Sequence, residues 1–213
     1  MRAAVCHDWG EPESLSIEDM PEPEMTEGGV RSAVKAAGVN FADTLMIKGE
    51  YQVRPPFPFS PGLEVGGEVL ECAPGVTQVK PRDKVMAMVP FGGYAEQVIA
   101  PEVDVFRVPD AMDEISAAAF PVVYGTSHIG LKDKLNLQPG EVLLVNGAAG
   151  GVGLTAVEIA KKMGATVIAA AGGADKLAVA KEYGADHLID YRSEDIKNRV
   201  KELTDGRGAD AVY

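Results

Sequence analysis

Val142-Leu-Leu-Val-Asn146-Gly-Ala-Ala-Gly150-Gly-Val-Gly153-Leu-Thr-Ala-Val-Glu-Ile-Ala-Lys-Lys-Met-Gly164 is the stretch that decides the fold. It opens with a short aliphatic run lacking polar alternation, which suits a strand buried on both faces. A glycine-rich turn follows. Val152, Ala156, Ile159, Ala160 and Met163 then recur at helical spacing, and the helix is expected to stop at Gly164. Strand, turn and helix in this order open a βαβ nucleotide-binding unit, in which the first N–H groups of the helix face a pyrophosphate. Gly147 lets the chain leave the strand sharply, Gly150 lets backbone approach the diphosphate, and Gly153 allows close packing of the helix. Ala148 stands at the first position of the usual G-x-G-x-x-G pattern, so a turn without a ligand stays open as an alternative.

The βα alternation continues downstream. Residues 165–171 read as a second strand, 175–183 as a helix, 187–190 as a third strand, 194–203 as a helix and 209–213 as the start of a fourth strand. An NAD-binding unit of this type places an Asp or Glu at the end of its second strand for the ribose 2′-hydroxyl. Here that position is Ala171, followed by Gly172 and Gly173, with Lys176 just beyond. No carboxylate is there to repel a 2′-phosphate, so the expected cofactor is NADPH rather than NADH. Lys176 as an ordinary solvated helix residue is the alternative.

Upstream the texture changes. Residues 2–6, 15–18, 30–39, 63–72, 84–89 and 93–100 read as short strands separated by glycine and proline, with Val30, Ala33 and Val34 facing a core. A small irregular barrel or sandwich is expected. Residues 113–133 turn helical, with interruptions near Pro121 and Gly125, and join the two halves. The predicted architecture is α/β: a β-rich domain over residues 1–120, then an incomplete doubly wound domain over 121–213.

The formal net charge of −12 argues against nucleic acid or an anionic membrane as the main partner. Cys6 and Cys72 provide neither a disulfide framework nor a metal cluster. The N-terminus lacks the apolar core of a signal peptide, and no run is long enough to span a bilayer. Cytoplasm is therefore the expected location.

With these motifs in place the chain resembles the medium-chain dehydrogenase/reductase superfamily, and within it the zinc-free quinone oxidoreductase family. The resemblance rests on Gly38-Val-Asn-Phe-Ala-Asp43, on the 51–64 loop with its Pro-Gly-Leu-Glu end, on Gly147 through Gly153, and on Gly184-Ala-Asp-His-Leu-Ile-Asp-Tyr191. It implies a GroES-like fold for the first domain and a Rossmann fold for the second. Where zinc-dependent relatives carry a cysteine and a histidine, this chain has Asn40 and Leu63, and the cysteine-rich structural zinc lobe is missing. A carboxamide and a leucine cannot replace thiolate and imidazole, so no metal is expected.

Without a Lewis acid, a conjugated acceptor is easier to reduce than a simple ketone. Hydride adds at carbon, and the charge moves to a distant oxygen that one or two hydrogen bonds can stabilise. The resemblance thus implies hydride transfer from NADPH to a quinone or another α,β-unsaturated carbonyl. Reduction of an enoyl or acryloyl thioester is a close rival, and a nucleotide-binding protein without turnover is a further one. For the acceptor site the resemblance implies Asn40, Asp43 and Tyr51. Asn40 reads equally as the N-cap of a helix over 41–48, Asp43 as an orienting group, and Tyr51 as a packed aromatic of a proline-rich loop. On the cofactor side it implies Gly147, Ala149, Gly150, Gly151 and Val152 at the pyrophosphate turn, Gly173, Lys176 and Tyr191 around the 2′-phosphate, and Thr126 near the nicotinamide. Full-length members are expected to be homodimers that act on small molecules. A complete doubly wound sheet has six strands in the order 3-2-1-4-5-6. Only four are legible here, so the chain is expected to be C-terminally truncated with an open edge at the fourth strand.

Overall fold

A computed structural model describes all 213 residues, which divide into two compact units, Met1–Val122 and Val123–Tyr213. The first unit opens with an antiparallel pair, β1 (Arg2–Val5) and β2 (Ser16–Asp19). Its main sheet contains β3 (Gly29–Ala37), β4 (Glu64–Cys72), β5 (Lys84–Met88), β6 (Gln97–Pro101) and β7 (Val105–Arg107). These pair antiparallel in the order β6-β3-β4-β5-β7. Helix α1 (Phe41–Ile47) lies between β3 and β4 in the chain. Val30, Val65, Val69, Val85, Val98 and Val105 form the core of this sheet, as expected of β-branched residues on a pleated, half-buried surface.

The sheet departs from its expected pattern in three places. On β3 the buried side chain after Val30 is Ser32, while Ala33 is only partly covered. Ser32 lies one two-residue step from Val30, so strict alternation from Val30 puts Ser32, not Ala33, on the inner face. The register shift at Arg31/Ser32 is taken up by β4, and the bulge in β3 itself falls between Val34 and Ala36. Residues 93–96 leave the β6 line and turn toward β1, where Ala3 bridges Ala95, so β6 is shorter than expected. Strand β7 was not legible: only Val105 of its three residues faces inward, too few for a period.

Helix α2 (Glu114–Ala118) packs on β4 at Gly66, where any Cβ would lie 2.4 Å from the Glu114 carbonyl oxygen. Pro121 does break the helical stretch, and α3 (Pro121–His128) starts there. Gly125 does not interrupt it. The irregularity instead falls at Ile129–Lys134, a π-helical turn.

In the second unit, β8 (Val142–Asn146), β9 (Thr166–Ala171), β10 (His187–Asp190) and β11 (Ala211–Val212) form a wholly parallel sheet in the order β10-β9-β8-β11. Helices α4 (Gly151–Lys162), α5 (Ala174–Glu182) and α6 (Ile196–Leu203) connect consecutive strands. Alternate residues serve opposite faces. Leu143, Val145, Val167 and Ala169 share one core with Ala156, Val157 and Ala160 of α4; Val142, Leu144, Ile168 and Ile189 share another with Val200 of α6. This explains the unbroken apolar strands. The buried side of α4 is Gly153, Thr155, Ala156, Val157 and Ala160. Val152, Ile159 and Met163, expected on that face, are only partly buried. The small residues face the sheet because they allow the helix to approach it closely.

Candidate active site

Two groups of side chains carry the chemistry, one in each unit, and each is described separately. In the second unit the chain leaves β8 through Gly147, whose φ of +59° favours glycine. The Gly150 N–H donates to the Gly147 carbonyl at 2.9 Å, and α4 begins at Gly151. A Cβ at Gly153 would stand 2.3 Å from the Gly147 oxygen and 2.8 Å from Ala148 Cα. Gly153 therefore lets α4 pack against the turn itself, and the turn keeps its backbone bare. Beside it lies a cavity of about 260 Å³ lined by Gly147, Ala149, Gly150, Ala171, Gly172, Lys176 and Tyr191. Five of the residues expected at the cofactor thus meet at one cavity. Ala171 is buried at the end of β9 and brings no charge to it.

Gly173 follows directly, with φ +99° at the start of α5. Its N–H donates to Asp190 Oδ1 at 3.1 Å, and the Arg192 N–H donates to the same oxygen at 3.0 Å. Asp190 thereby ties the turn after β9 to the turn after β10. Gly151 and Val152 sit in the first turn of α4, where N–H groups have no intrahelical acceptor. The Val152 carbonyl accepts from the Ser127 hydroxyl at 2.8 Å, and Ser127 Oγ lies 2.8 Å from Thr155 Oγ1. Ser127 is the buried hydroxyl of α3, whereas Thr126 is exposed and does not line the cavity. Sequence reasoning missed Asp190 and Arg192. The signal was their adjacency to Tyr191 at the end of the third strand.

In the first unit, Asn40 precedes α1 and is bound at both ends. Its main-chain N–H donates to Asp43 Oδ2 at 2.7 Å, and its carboxamide Nδ2 donates to Glu64 Oε1 at 2.8 Å. Glu64 Oε2 accepts the Val122 N–H at 2.8 Å. Asp43 Oδ2 also accepts the Tyr94 hydroxyl at 2.7 Å, while Oδ1 is buried without a partner. Asp43 and Glu64 are each 2% exposed. Burial pushes the Asp43 carboxyl above the ordinary aspartate value, against the hydrogen bonds from Tyr94 and Asn40. Burial likewise raises Glu64, against the bonds from Val122 and Asn40 and with a further push from Asp43. Tyr94 is raised by its own burial and by donating to Asp43. Gly38 makes room for this network, since a Cβ there would lie 2.2 Å from Glu64 Oε1.

Asn40 and Asp43 therefore belong to one hydrogen-bonded group, to which Glu64 and Tyr94 must be added. The latter two lie far along the chain from Asn40, and no local motif joins them. Tyr51 stands apart from this network, packing against the cluster of Cys6, Met46, Ile47, Phe59 and Leu63. The donor set does not fit zinc. The Asn40 amide already donates to Glu64, Leu63 lies in an apolar cluster, and no three His, Cys, Asp or Glu side chains gather in a way that could hold a metal ion. No helix is long and apolar enough to cross a membrane.

A β-rich unit followed by a parallel βα unit with this bare glycine turn is the architecture of the medium-chain dehydrogenase/reductases. Comparison with known proteins agrees. Residues 26–110 match the family described as alcohol dehydrogenase GroES-like domain, and residues 151–213 match that described as zinc-binding dehydrogenase. The quinone oxidoreductase-like protein 2 homolog of Nematostella vectensis is 41% identical over 213 residues, covering 99% of this chain and 58% of its own. A probable oxidoreductase from Mycobacterium abscessus superposes with a TM-score of 0.92 at 39% identity, covering all of this chain and 68% of its own. The quinone oxidoreductase of Thermus thermophilus, solved alone and with NADPH, gives a TM-score of 0.86 at 39% identity, covering all of this chain and 65% of its own. The chain belongs to the zinc-free quinone oxidoreductase family of the medium-chain superfamily. It spans about three-fifths of the length of the curated relatives it matches.

Proposed function

We propose that this protein is an NADPH-dependent, zinc-independent oxidoreductase that reduces a quinone or another α,β-unsaturated carbonyl. The observation that carries the reading is the cavity of the second unit. It joins a bare glycine turn to Lys176 and Tyr191 and has Ala171 where an NAD-binding unit has an acid. The solved NADPH complex of the Thermus thermophilus relative supports the same cofactor.

In this reading Gly147, Ala149, Gly150 and the first-turn N–H groups at Gly151 and Val152 hold the pyrophosphate, and Lys176 and Tyr191 hold the 2′-phosphate, with Gly173 shaping the turn. Thr126 is assigned to the nicotinamide end. NADPH supplies the hydride when bound. In the first unit, Glu64 fixes the Asn40 carboxamide, whose second amide hydrogen remains free to donate to the oxygen of a conjugated acceptor, where charge develops. Asp43 orients the Asn40 backbone and holds the Tyr94 hydroxyl, and Tyr51 contributes an apolar wall. On this reading the protein acts on small molecules in the cytoplasm, and its full-length relatives are homodimers.

The test is NADPH oxidation by this chain with a quinone, a simple enone and an enoyl thioester offered separately. Turnover with the quinone or the enone, and little with the thioester, is the expected result. Preference for the thioester would move the assignment to the rival reductase. Tight NADPH binding without oxidation by any acceptor would leave a binding protein.

A further inference from the structure

Next to the cavity beside the glycine turn, over its Gly172 wall, lies a third donor that no motif assigns. A methyl group built at Gly172 would come within 2.9 Å of Arg192 Nε and 2.8 Å of the Tyr191 hydroxyl, and one built at Gly173 within 3.0 Å of Arg192 Nη1. The guanidinium thus lies over the Gly172–Gly173 turn, next to Tyr191, in space that a side chain at either position would take. Four of the eight arginines, Arg31, Arg107, Arg199 and Arg207, pair with carboxylates, while Arg2, Arg54, Arg82 and Arg192 do not, in a chain with 32 acidic and 20 basic residues. Arg192 forms no ion pair, and neither does Lys176. Asp190 accepts the backbone N–H groups of Gly173 and Arg192 on Oδ1, so it seats the arginine's main chain, and it forms no ion pair with the guanidinium. Two unpaired cations and a phenol hydroxyl at one turn suit a dianion, and a planar fork suits a phosphate monoester best.

We infer that Arg192 is a specificity-determining residue, which takes a phosphate monoester on the adenosine ribose together with Lys176 and Tyr191. The inference rests on the NADPH reading above. It adds that discrimination against an unphosphorylated ribose comes from a residue after the third strand of the sheet, as well as from the vacancy of acid after the second.

The experiment is titration of the 213-residue chain with NADPH and NADH in parallel, for the unaltered protein and for Arg192→Gln, Arg192→Lys and Lys162→Gln. Lys162 lies in the last turn of α4, at the end away from the glycine turn, and serves as a control for loss of one positive charge. Arg192→Gln should weaken NADPH about tenfold and leave NADH unchanged, with Arg192→Lys in between and Lys162→Gln without effect. Gly172→Ala, which should displace the Arg192 and Tyr191 side chains while leaving both residues present, should also weaken NADPH selectively. Equal loss of both nucleotides in Arg192→Gln would overturn the inference, since it would mean contact with the shared part of the molecule. So would no loss of either while the unaltered chain still prefers NADPH. If the unaltered chain itself binds both nucleotides alike, the NADPH reading fails first and the inference fails with it.

Discussion

The unit Met1–Val122 buries two carboxylates, Asp43 and Glu64, whereas Val123–Tyr213 buries only the hydroxyls of Ser127 and Thr155 and has the unpaired Lys176 at a cavity lined by bare backbone. In the first unit, Asp43 takes a bond from Tyr94 and Glu64 one from Val122, 51 and 58 residues away in the chain. In the second, the cavity residues follow the C-terminal ends of β8, β9 and β10, each within a few residues of its strand. One arrangement is held together by tertiary contacts and makes polar groups costly to lose. The other presents backbone and cations to a ligand and has little buried polarity at risk. The difference separates what holds this protein together from what, in the proposed function, its cofactor meets.

That contrast can be broken most sharply at Gly153. Gly153→Ala puts a methyl group against backbone, with no flexible side chain to give way. It should weaken nucleotide binding by roughly a hundredfold and destabilise the second unit by about 1–3 kcal/mol, measured by titration and by urea unfolding. Unchanged NADPH affinity would show that the turn is not the pyrophosphate site. Next in size is Glu64→Ala, which strands the Asn40 amide and the Val122 N–H. Unfolding should become easier by about 1–3 kcal/mol, while NADPH affinity stays within twofold. A matching loss of affinity would end the separation of stability from binding drawn here. Lys176→Gln comes third: NADPH should weaken about tenfold with NADH unchanged and unfolding unaltered, since Lys176 holds no protein partner.

The smallest effect is on pH dependence, and its sign differs between carboxylates raised by burial and carboxylates lowered by their hydrogen bonds and ion pairs. Asp43 and Glu64 are raised in the folded protein by burial, so the folded state binds more protons than the unfolded one above the ordinary carboxylate range. Their contribution to stability is full below the unfolded value and is lost as pH rises through the raised one. Asp210 is lowered by the Val142 N–H and by Arg207, so its contribution is present above the unfolded value and is lost as pH falls through the lowered one. Melting temperatures across pH should therefore fall less on the alkaline side of the carboxylate range in Asp43→Asn than in the unaltered chain, and less on the acid side in Asp210→Asn. Parallel curves for all three proteins would contradict both assignments.

Most of the second unit was legible in the sequence because its order is local. Uninterrupted aliphatic runs such as 142–145 read as doubly covered strands, and each connecting helix stands between its strands. Gly147, Gly150 and Lys176 sit at fixed steps from strand ends. On α4, Ala156 and Ala160 are buried as expected and Ile159 and Met163 pack at the margin of the same core; Gly153, Thr155 and Val157 were not foreseen there. In the first unit, Ser32 was passed over because apolar residues were given the inner face although alternation from Val30 points to Ser32, and the brevity of β7 left no period. Asn40 and Asp43 were legible through a stretch shared with relatives, and Glu64 ended another such stretch. That Glu64 anchors the Asn40 amide and that Tyr94 binds Asp43 was not legible, because sheet pairing brings them together and no spacing announces it. Arg192 was passed over for the opposite reason: an exposed arginine beside a tyrosine reads as ordinary surface until the Gly172–Gly173 turn beneath it is seen.

The most direct measurement is a fluorescence titration of the unaltered chain with NADPH and with NADH at one salt concentration. The account predicts tight NADPH binding and NADH binding weaker by at least tenfold, a difference of about 1.4 kcal/mol. Equal affinities would contradict the assignment of Lys176, Tyr191 and Ala171 to the 2′-phosphate while leaving the fold untouched, and binding of neither would remove the nucleotide site itself.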